Sequence, residues 1–205
     1  MPDTRQRILD ASLDLFSQSG YAAVSIRDIC ARVRVRKGTI YYHFPNKRAI
    51  AEEILRAFAR AAQEKMAPLE AALQGMDRAP GEGFHRAACD AFLDSYFLDD
   101  FCNRVLRFLS MERFHSAEAR ALYDRWMFQE PLAFQERVFS RLLAPQAVSG
   151  ADGARLALRF YAPILLYAQR WLFSGALTQE NRERFRAEAG RHIAQFFGEI
   201  GGTRA

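Results

Sequence analysis

The fold is decided by residues 25–47, which read SIRDICARVRVRKGTIYYHFPNK. Two short amphipathic segments lie here on either side of a break. The first begins at Ser25, a residue type that often caps helix N-termini, and it keeps its apolar side chains on one face. The second runs from about Arg36 to His43 and ends before Pro45, which cannot continue a helix. The stretch therefore predicts two short helices joined by a tight turn.

A longer amphipathic segment precedes this stretch, from Thr4 to Ser17, and Gly20 follows it as a helix stop. Two short helices braced by a first helix form the three-helix version of the helix-turn-helix. In that arrangement the second short helix enters the major groove of DNA. The other two bury its back and direct their ends towards phosphates.

The positive charge of the chain is concentrated in its first quarter. The whole chain has 29 Lys and Arg against 24 Asp and Glu, a formal net charge of +5. Residues 1–48 hold nine basic and four acidic side chains and so carry the entire excess, whereas residues 49–205 hold twenty of each. A localised basic region is typical of a phosphate-binding surface, although a solvated basic face gives the same count.

The same residues closely resemble the DNA-reading head of the TetR family of transcriptional regulators. The resemblance is strongest in KGTIYYHF at 37–44, followed by Asn46-Lys47, and it extends over about residues 5–55. It implies an all-α fold of about nine helices. Residues 1–48 would form the helix-turn-helix domain, 46–66 a connecting helix, and 49–205 a larger helical domain for ligand binding and dimerisation.

The resemblance also implies which side chains contact DNA. Ser25, His43 and Lys47 match phosphate-binding positions, and Arg27 matches a position suited to guanine. Packing within the head is the alternative for His43, and likewise for Tyr42. The full predicted DNA-contacting set is Ser25, Arg27, Arg36, Lys37, Gly38, Thr39, Tyr41, Tyr42, His43 and Lys47.

Two positions depart from the family pattern. Arg34 stands where the turn usually has a glycine, and Arg36 stands where a small hydroxyl residue usually caps the second short helix. A non-glycine residue in a left-handed conformation costs on the order of 1 kcal/mol. The sequence thus predicts an altered turn or a strained one, with added positive charge beside the phosphates.

Beyond the head, apolar spacing predicts helices at about 84–98, 101–113, 117–143, 153–174 and 178–199, with a loose region over residues 68–83. Pro131 and Pro163 fall inside two of these helices and should kink or split them. The resemblance implies a homodimer whose last two helices form a four-helix bundle. The alternative is that these apolar stripes are the core of one chain. The predicted interface residues are Phe160, Ile164, Trp171, Ile193, Phe196 and Phe197.

The middle of the chain is rich in aromatic residues, and the resemblance implies a pocket there for a small apolar or aromatic effector. Ordinary core packing is the alternative for any one of them. The predicted pocket residues are Phe92, Tyr96, Phe108, Glu112, His115, Trp126 and Tyr167. An effector would favour a conformation in which the two heads no longer fit a pseudo-palindromic operator in double-stranded DNA.

Several other classes are disfavoured by what the sequence lacks. We find no nucleophile elbow, zinc-helix motif, phosphate loop or dinucleotide fingerprint, so no enzyme, cofactor or metal site is predicted. His85 and Cys89 share an i, i+4 spacing with Asp90 adjacent, which leaves metal sensing as an alternative. A constitutive DNA-architectural protein is another. No apolar run reaches the roughly eighteen residues of a membrane span and no signal core opens the chain, so a cytoplasmic, nucleoid-associated protein is expected.

Overall fold

The computed structural model describes residues 3–75, 89–143, 150–175 and 177–202, and it contains no strand within them. The prediction of an all-α fold is confirmed. The helices are α1 (Thr4–Ser19), α2 (Ile26–Val33), α3 (Lys37–His43), α4 (Lys47–Gln74), α5 (residues 89–97), α6 (Asp100–Glu112), α7 (Ala117–Asp124), α8 (Glu130–Leu143), α9 (Gly150–Ala168) and α10 (Gln179–Gly202).

Three of the helices contain or lead into a π-turn, which the apolar spacing did not predict. These turns are Leu93–Phe97 at the end of α5, Arg125–Gln129 between α7 and α8, and Gln169–Phe173 after α9. The helix predicted over 117–143 is thus interrupted. The loose region expected from residue 68 is helical as far as Gln74, because a proline removes only one backbone donor and α4 continues through Pro68.

The chain divides into two compact units. The first comprises Met1–Gln63 with Asp100–Asp124, so α6 and α7 share a unit with the three helices of the head. Phe16 of α1 and Phe108 of α6 stack at 5.4 Å between ring centroids, and both are buried. That residues 1–48 form the DNA-reading domain stays a prediction.

The second unit comprises Glu64–Asp99 with Arg125–Ala205. Its core contains an aromatic cluster formed by Phe139 of α8, Phe160 of α9 and Phe196 of α10. The ring centroids of each pair lie 5.2 to 5.5 Å apart. Gly153 allows α9 to approach α8 closely, since a Cβ added there would overlap the Ser140 hydroxyl. Close-packed aromatic rings of this kind are a large source of burial energy.

Two buried tyrosines satisfy backbone carbonyls that Pro131 leaves without a helical donor. A proline has no N–H, so it supplies neither the α-type bond to Met127, four residues earlier, nor the π-type bond to Trp126, five earlier. The Tyr161 hydroxyl donates to the Met127 carbonyl at 2.8 Å, and the Tyr96 hydroxyl donates to the Trp126 carbonyl at 2.5 Å. The π-turn is therefore tied to α5 and α9.

The predicted dimer-interface residues lie inside one chain. Five of them are at most 6% exposed and belong to the core of the second unit: Phe160, Ile164, Ile193, Phe196 and Phe197. Trp171 is half-buried and its indole N–H donates to Glu188 at 2.9 Å. These apolar stripes face neighbouring helices because a helical period identifies an apolar face without identifying its partner.

None of the helices within the described residues is both long enough and apolar enough to cross a membrane.

Candidate nucleic-acid interface

Ser25 begins α2 through a reciprocal capping box with Asp28. The Asp28 backbone N–H donates to Ser25 Oγ, and the Ser25 backbone N–H donates to Asp28 Oδ2 at 2.8 Å. The Ser25 hydroxyl also donates to Asp28 Oδ2 at 2.6 Å, and this bond is the main reason that the pKa of Asp28 is lowered. A phosphate contact by Ser25, which remains a prediction, would require the hydroxyl to donate its proton to a phosphate oxygen instead of to Asp28.

The turn between α2 and α3 keeps a left-handed residue even though no glycine is present. Arg34 adopts φ 61° and ψ 50°, and its N–H donates to the Cys30 carbonyl. The Val35 N–H reaches the same carbonyl at 3.1 Å. Arg34 is the only non-glycine residue with positive φ in the described part of the chain. The usual turn is thus preserved, with the strain that the sequence predicted.

Replacing Arg34 with glycine should stabilise the protein by about 1 kcal/mol, because glycine adopts the left-handed conformation without a Cβ clash. Chemical denaturation of wild type and variant measures the difference. Arg60→Gly is the matched control, since Arg60 lies exposed inside α4 and the same change there should destabilise by about 0.5–1 kcal/mol. A loss of stability in Arg34→Gly would contradict the claim that the backbone of Arg34 is strained.

The second short helix, α3, shows one apolar face and one exposed face. Ile40 and Phe44 are buried at 0% and 3% exposure. Tyr42 is 85% exposed and Tyr41 45%, so Tyr42 does not complete the packing of the head. His43 is partly buried, with its ring edge-on to Tyr42 at 5.0 Å. The exposed face thus presents two tyrosine hydroxyls to an external partner.

The first turn of α3 has no side-chain cap. Arg36 occupies the N-cap position and makes no capping hydrogen bond, which agrees with the loss of the usual hydroxyl residue. Thr39, half-buried, donates its N–H to the Arg36 carbonyl at 2.9 Å. Gly38 is exposed, and a Cβ added to it would meet no atom within 4 Å. Packing within the described residues therefore does not require glycine at 38, which in a helix costs about 1 kcal/mol relative to alanine.

Lys47 is engaged inside the protein rather than extended towards solvent. Its ammonium donates to the carbonyls of Tyr21 and Val24 at 2.8 and 2.7 Å, and it lies 3.9 Å from the centroid of the Tyr21 ring. Partial burial lowers the pKa of Lys47, while the Glu112 carboxylate opposes that shift. Lys47 thus fastens the loop before α2 to the start of α4. Its predicted contact with phosphate remains a prediction, and sequence spacing gave no sign of this structural role.

Ion pairs and hydrogen bonds within the chain use five of the nine basic side chains of residues 1–48. The ion pairs are to carboxylates and the hydrogen bonds are to backbone carbonyls. The five are Arg5 with Glu53, Arg7 with the Val33 carbonyl, Arg32 with Asp14, Arg48 with Glu52, and Lys47 with the two loop carbonyls.

The four remaining basic residues are Arg27, Arg34, Arg36 and Lys37. All are exposed and none forms an ion pair with another described residue. They occupy α2, the turn and the start of α3. The basic residues without an ion pair therefore cover a smaller region than residues 1–48, which the composition indicated. Arg34 was absent from the predicted contacts. The signal that could have identified Arg34 is a basic residue in the turn with no acidic residue close to it in the sequence.

The predicted pocket residues are divided between the two units. In the second unit Phe92, Tyr96 and Trp126 are buried, with Phe92 stacked on Tyr96 at 5.2 Å, and Tyr167 is half-buried. In the first unit the other three line a cleft: Phe108, Glu112 and His115. Which of these residues contacts an effector stays a prediction.

Only part of the alternative metal site lies within the described residues. His85 lies outside the described residues, and no group of three His, Cys, Asp or Glu side chains suited to a metal occurs among those described. Burial, with a smaller effect of Asp90, raises the pKa of the Cys89 thiol to about 12. The thiolate that binds metals is thus strongly disfavoured at that position.

The geometry of α1, α2 and α3 defines a three-helix helix-turn-helix domain with a basic, tyrosine-bearing exposed face. A family model for the bacterial regulatory proteins of the tetR family matches residues 8–54. Residues 8–54 thus form a DNA-binding domain of the TetR type, as the resemblance predicted. That family consists of transcriptional regulators rather than enzymes.

The similarity to each of two curated relatives covers about a quarter of the chain. The HTH-type transcriptional regulator UidR of Escherichia coli (strain K12) is 39% identical over 52 residues, which are 25% of this chain and 26% of UidR. The biofilm operon icaADBC HTH-type negative transcriptional regulator IcaR of Staphylococcus aureus (strain Newman) is 37% identical over 49 residues, or 24% and 26%. The aligned residues thus span about a quarter of the length of each relative.

The fold of the whole chain resembles that of solved members of the family. A TetR-family transcriptional regulator from Mesorhizobium loti superposes with a TM-score of 0.66 at 16% identity, covering 96% of both chains. A second, from Marinobacter aquaeolei, gives a TM-score of 0.59 at 21% identity, covering 93% of this chain and 99% of that one. At these identities the likeness concerns the fold alone.

Proposed function

We propose that the protein is a homodimeric transcriptional repressor that binds a pseudo-palindromic operator and is released from it by a small effector. The observation that carries the DNA-binding part is the cluster of four uncompensated basic residues beside two exposed tyrosines. Cations placed along a helix-turn-helix neutralise phosphates and release condensed counterions. Gly38 supports the same assignment, because its bare backbone admits a close external partner.

Repression is favoured over activation by a relative. IcaR is named a negative transcriptional regulator, and it is 37% identical to this chain over 49 residues. A repressor needs only to occupy a promoter, whereas an activator needs a further surface. The proposed location is the cytoplasm, in association with the nucleoid, where double-stranded DNA is available.

The proposed dimer interface lies on the exposed face of α9 and α10. Leu158 and Leu166 of α9 are 57% and 64% exposed, and Ala162, between them on the same face, is also exposed. Ala194 and Gly198 of α10 are exposed as well. Large exposed apolar side chains two turns apart on one helix face are typical of an interaction surface, and small residues allow close helix approach. A C2 dimer would pair this face with itself.

The double substitution Leu158→Glu and Leu166→Glu should convert the dimer into a monomer, because two carboxylates per subunit would be buried without partners. Sedimentation velocity over a range of concentrations measures the association state. Phe114→Glu is the control, since Phe114 is 69% exposed but lies in the first unit. A variant that stays dimeric would place the interface elsewhere.

DNA binding itself is tested with the purified wild-type protein and duplexes from its own promoter region. Fluorescence anisotropy at several salt concentrations should show a preference for one pseudo-palindrome over a scrambled duplex. If the four uncompensated cations of each of two subunits all contact phosphates, the slope of log K against log salt should be about −7. Equal affinity for both duplexes would favour the constitutive architectural protein instead.

A further inference from the structure

A cleft in the first unit has the size and lining of a small-molecule site. Its volume is about 280 Å³, near the lower end of the roughly 300–1,000 Å³ range of ligand pockets. The floor is apolar and contains the buried side chains of Leu55, Phe108 and Ala119. The rim is polar and comes from the loop before α2, the start of α4, the end of α6 and the start of α7.

The rim carries more negative than positive charge, although it lies in the most basic region of the chain. Glu52 is neutralised by Arg48, whose Nε atom lies 2.7 Å from its Oε1 atom. Glu112 and Glu118 form no ion pair with another described residue, and no second Lys or Arg lines the cleft. Tyr21 and His115 complete its titratable groups. Lys47 and Arg48 act electrostatically on Glu112 and Glu118, respectively, without forming ion pairs with them. Two carboxylates that lack a direct ion-pair partner therefore border an apolar floor.

We propose that this cleft binds a small organic cation with an apolar or aromatic body, such as a protonated amine or a quaternary ammonium. The apolar body would cover Phe108 and Leu55, which favours burial without requiring hydrogen bonds. The positive group would lie between Glu112 and Glu118. An anion of the same shape would meet both carboxylates and be rejected.

The cleft is linked to the DNA-reading helices through Glu112. Its Oε1 atom accepts the backbone N–H of Tyr21 at 2.9 Å, and the Tyr21 carbonyl accepts from Lys47. Tyr21 lies in the loop that leads directly to Ser25, the cap of α2. A cation paired with Glu112 competes with the Tyr21 amide for the carboxylate, so it loosens the loop that sets the position of α2. This regulatory part rests on the proposed DNA-binding function.

Calorimetry on the full-length protein tests the site without DNA. Benzyltrimethylammonium should bind measurably, and phenylacetate at the same ionic strength should not. Glu118→Gln and Glu112→Gln should each weaken binding of the cation by about fivefold, the upper end for an exposed ion pair. Glutamine at 112 keeps an oxygen for the Tyr21 amide. Glu118→Lys should reverse the preference between the two probes.

Glu64→Gln is the matched control, because Glu64 is an exposed glutamate of α4 outside the cleft. Equal binding of both probes, or unchanged binding after Glu118→Lys, would overturn the site. With DNA present, the cation should lower operator affinity at least about fivefold relative to phenylacetate. Binding without that decrease would overturn the coupling. Failure of the ligand-free protein to bind DNA would instead refute the proposed function and leave the calorimetric result standing.

Discussion

Replacing Arg36 and Lys37 with alanine should lower the affinity for operator DNA about a thousandfold in 0.1 M salt. Both side chains are exposed and form no ion pair with another described residue, so their removal leaves no partner unsatisfied within the head. In a dimer the double substitution removes four cations. Each phosphate contact contributes about 0.9 to the salt slope, so the slope should become less steep by about 3.6. At 0.1 M salt that difference is between three and four powers of ten.

The control for charge is the double substitution Arg60→Ala and Arg125→Ala, which removes two exposed arginines outside the candidate interface. Arg125 forms an exposed ion pair with Glu130, and such a pair contributes at most about 1 kcal/mol to stability. The effect of this double substitution on affinity should be less than about tenfold, because these charges act on DNA only at a distance in screening salt. Anisotropy titrations from 0.05 to 0.3 M salt (roughly the range in which slopes are linear) give both quantities. An unchanged slope in Arg36→Ala with Lys37→Ala would show that this turn does not contact phosphates.

The double substitution Tyr96→Phe and Tyr161→Phe should destabilise the fold by about 2–6 kcal/mol. Each change leaves a buried carbonyl without its hydroxyl donor, and such a loss costs about 1–3 kcal/mol. That total is a large part of the roughly 5–15 kcal/mol by which domains of this kind are stable. Urea denaturation, followed by circular dichroism, measures the free energy of unfolding for each variant.

Tyr167→Phe provides the matched control, because Tyr167 is only half-buried and its hydroxyl forms no hydrogen bond with a described residue. It should change stability by less than about 0.5 kcal/mol. The role of Pro131 has its own test. In the Tyr161→Phe background, Pro131→Ala returns a backbone N–H to the helix and should restore part of the lost stability. If Tyr161→Phe costs no more than Tyr167→Phe, the account of the freed carbonyls is wrong.

The sequence predicted the head well because its determinants are local. The cap at Ser25, the stop at Gly20 and the buried positions Ile40 and Phe44 each follow from rules that span a few residues. The left-handed turn at Arg34 was recognisable as a conflict between position and residue type. The sequence did not decide whether the turn would change to suit arginine or keep its left-handed backbone. The structure keeps the left-handed backbone at Arg34.

Contacts between distant residues were not predictable in the same way. Lys47 has its partners at Tyr21 and Val24, and Glu112 meets Tyr21 across ninety-one positions. Helical periodicity located the apolar stripes of α9 and α10 but not whether a neighbouring helix or a second copy covers them. The π-turn at Arg125–Gln129 has carbonyls that accept from the hydroxyls of Tyr96 and Tyr161, and both tyrosines lie far from Pro131 in the sequence.

The stacking of Phe16 on Phe108 bears on how this regulator can be re-engineered. Chimeras that exchange the DNA-reading part are naturally cut near residue 48, yet such a cut separates Phe16 from the ring that covers it and Tyr21 from its carboxylate acceptor. A graft that carries residues 100–124 along with the N-terminal segment retains both. The part of this protein that can be transferred as a unit is therefore set by the core that residues 1–63 and 100–124 share. It is not set by where the helix-turn-helix begins and ends in the sequence.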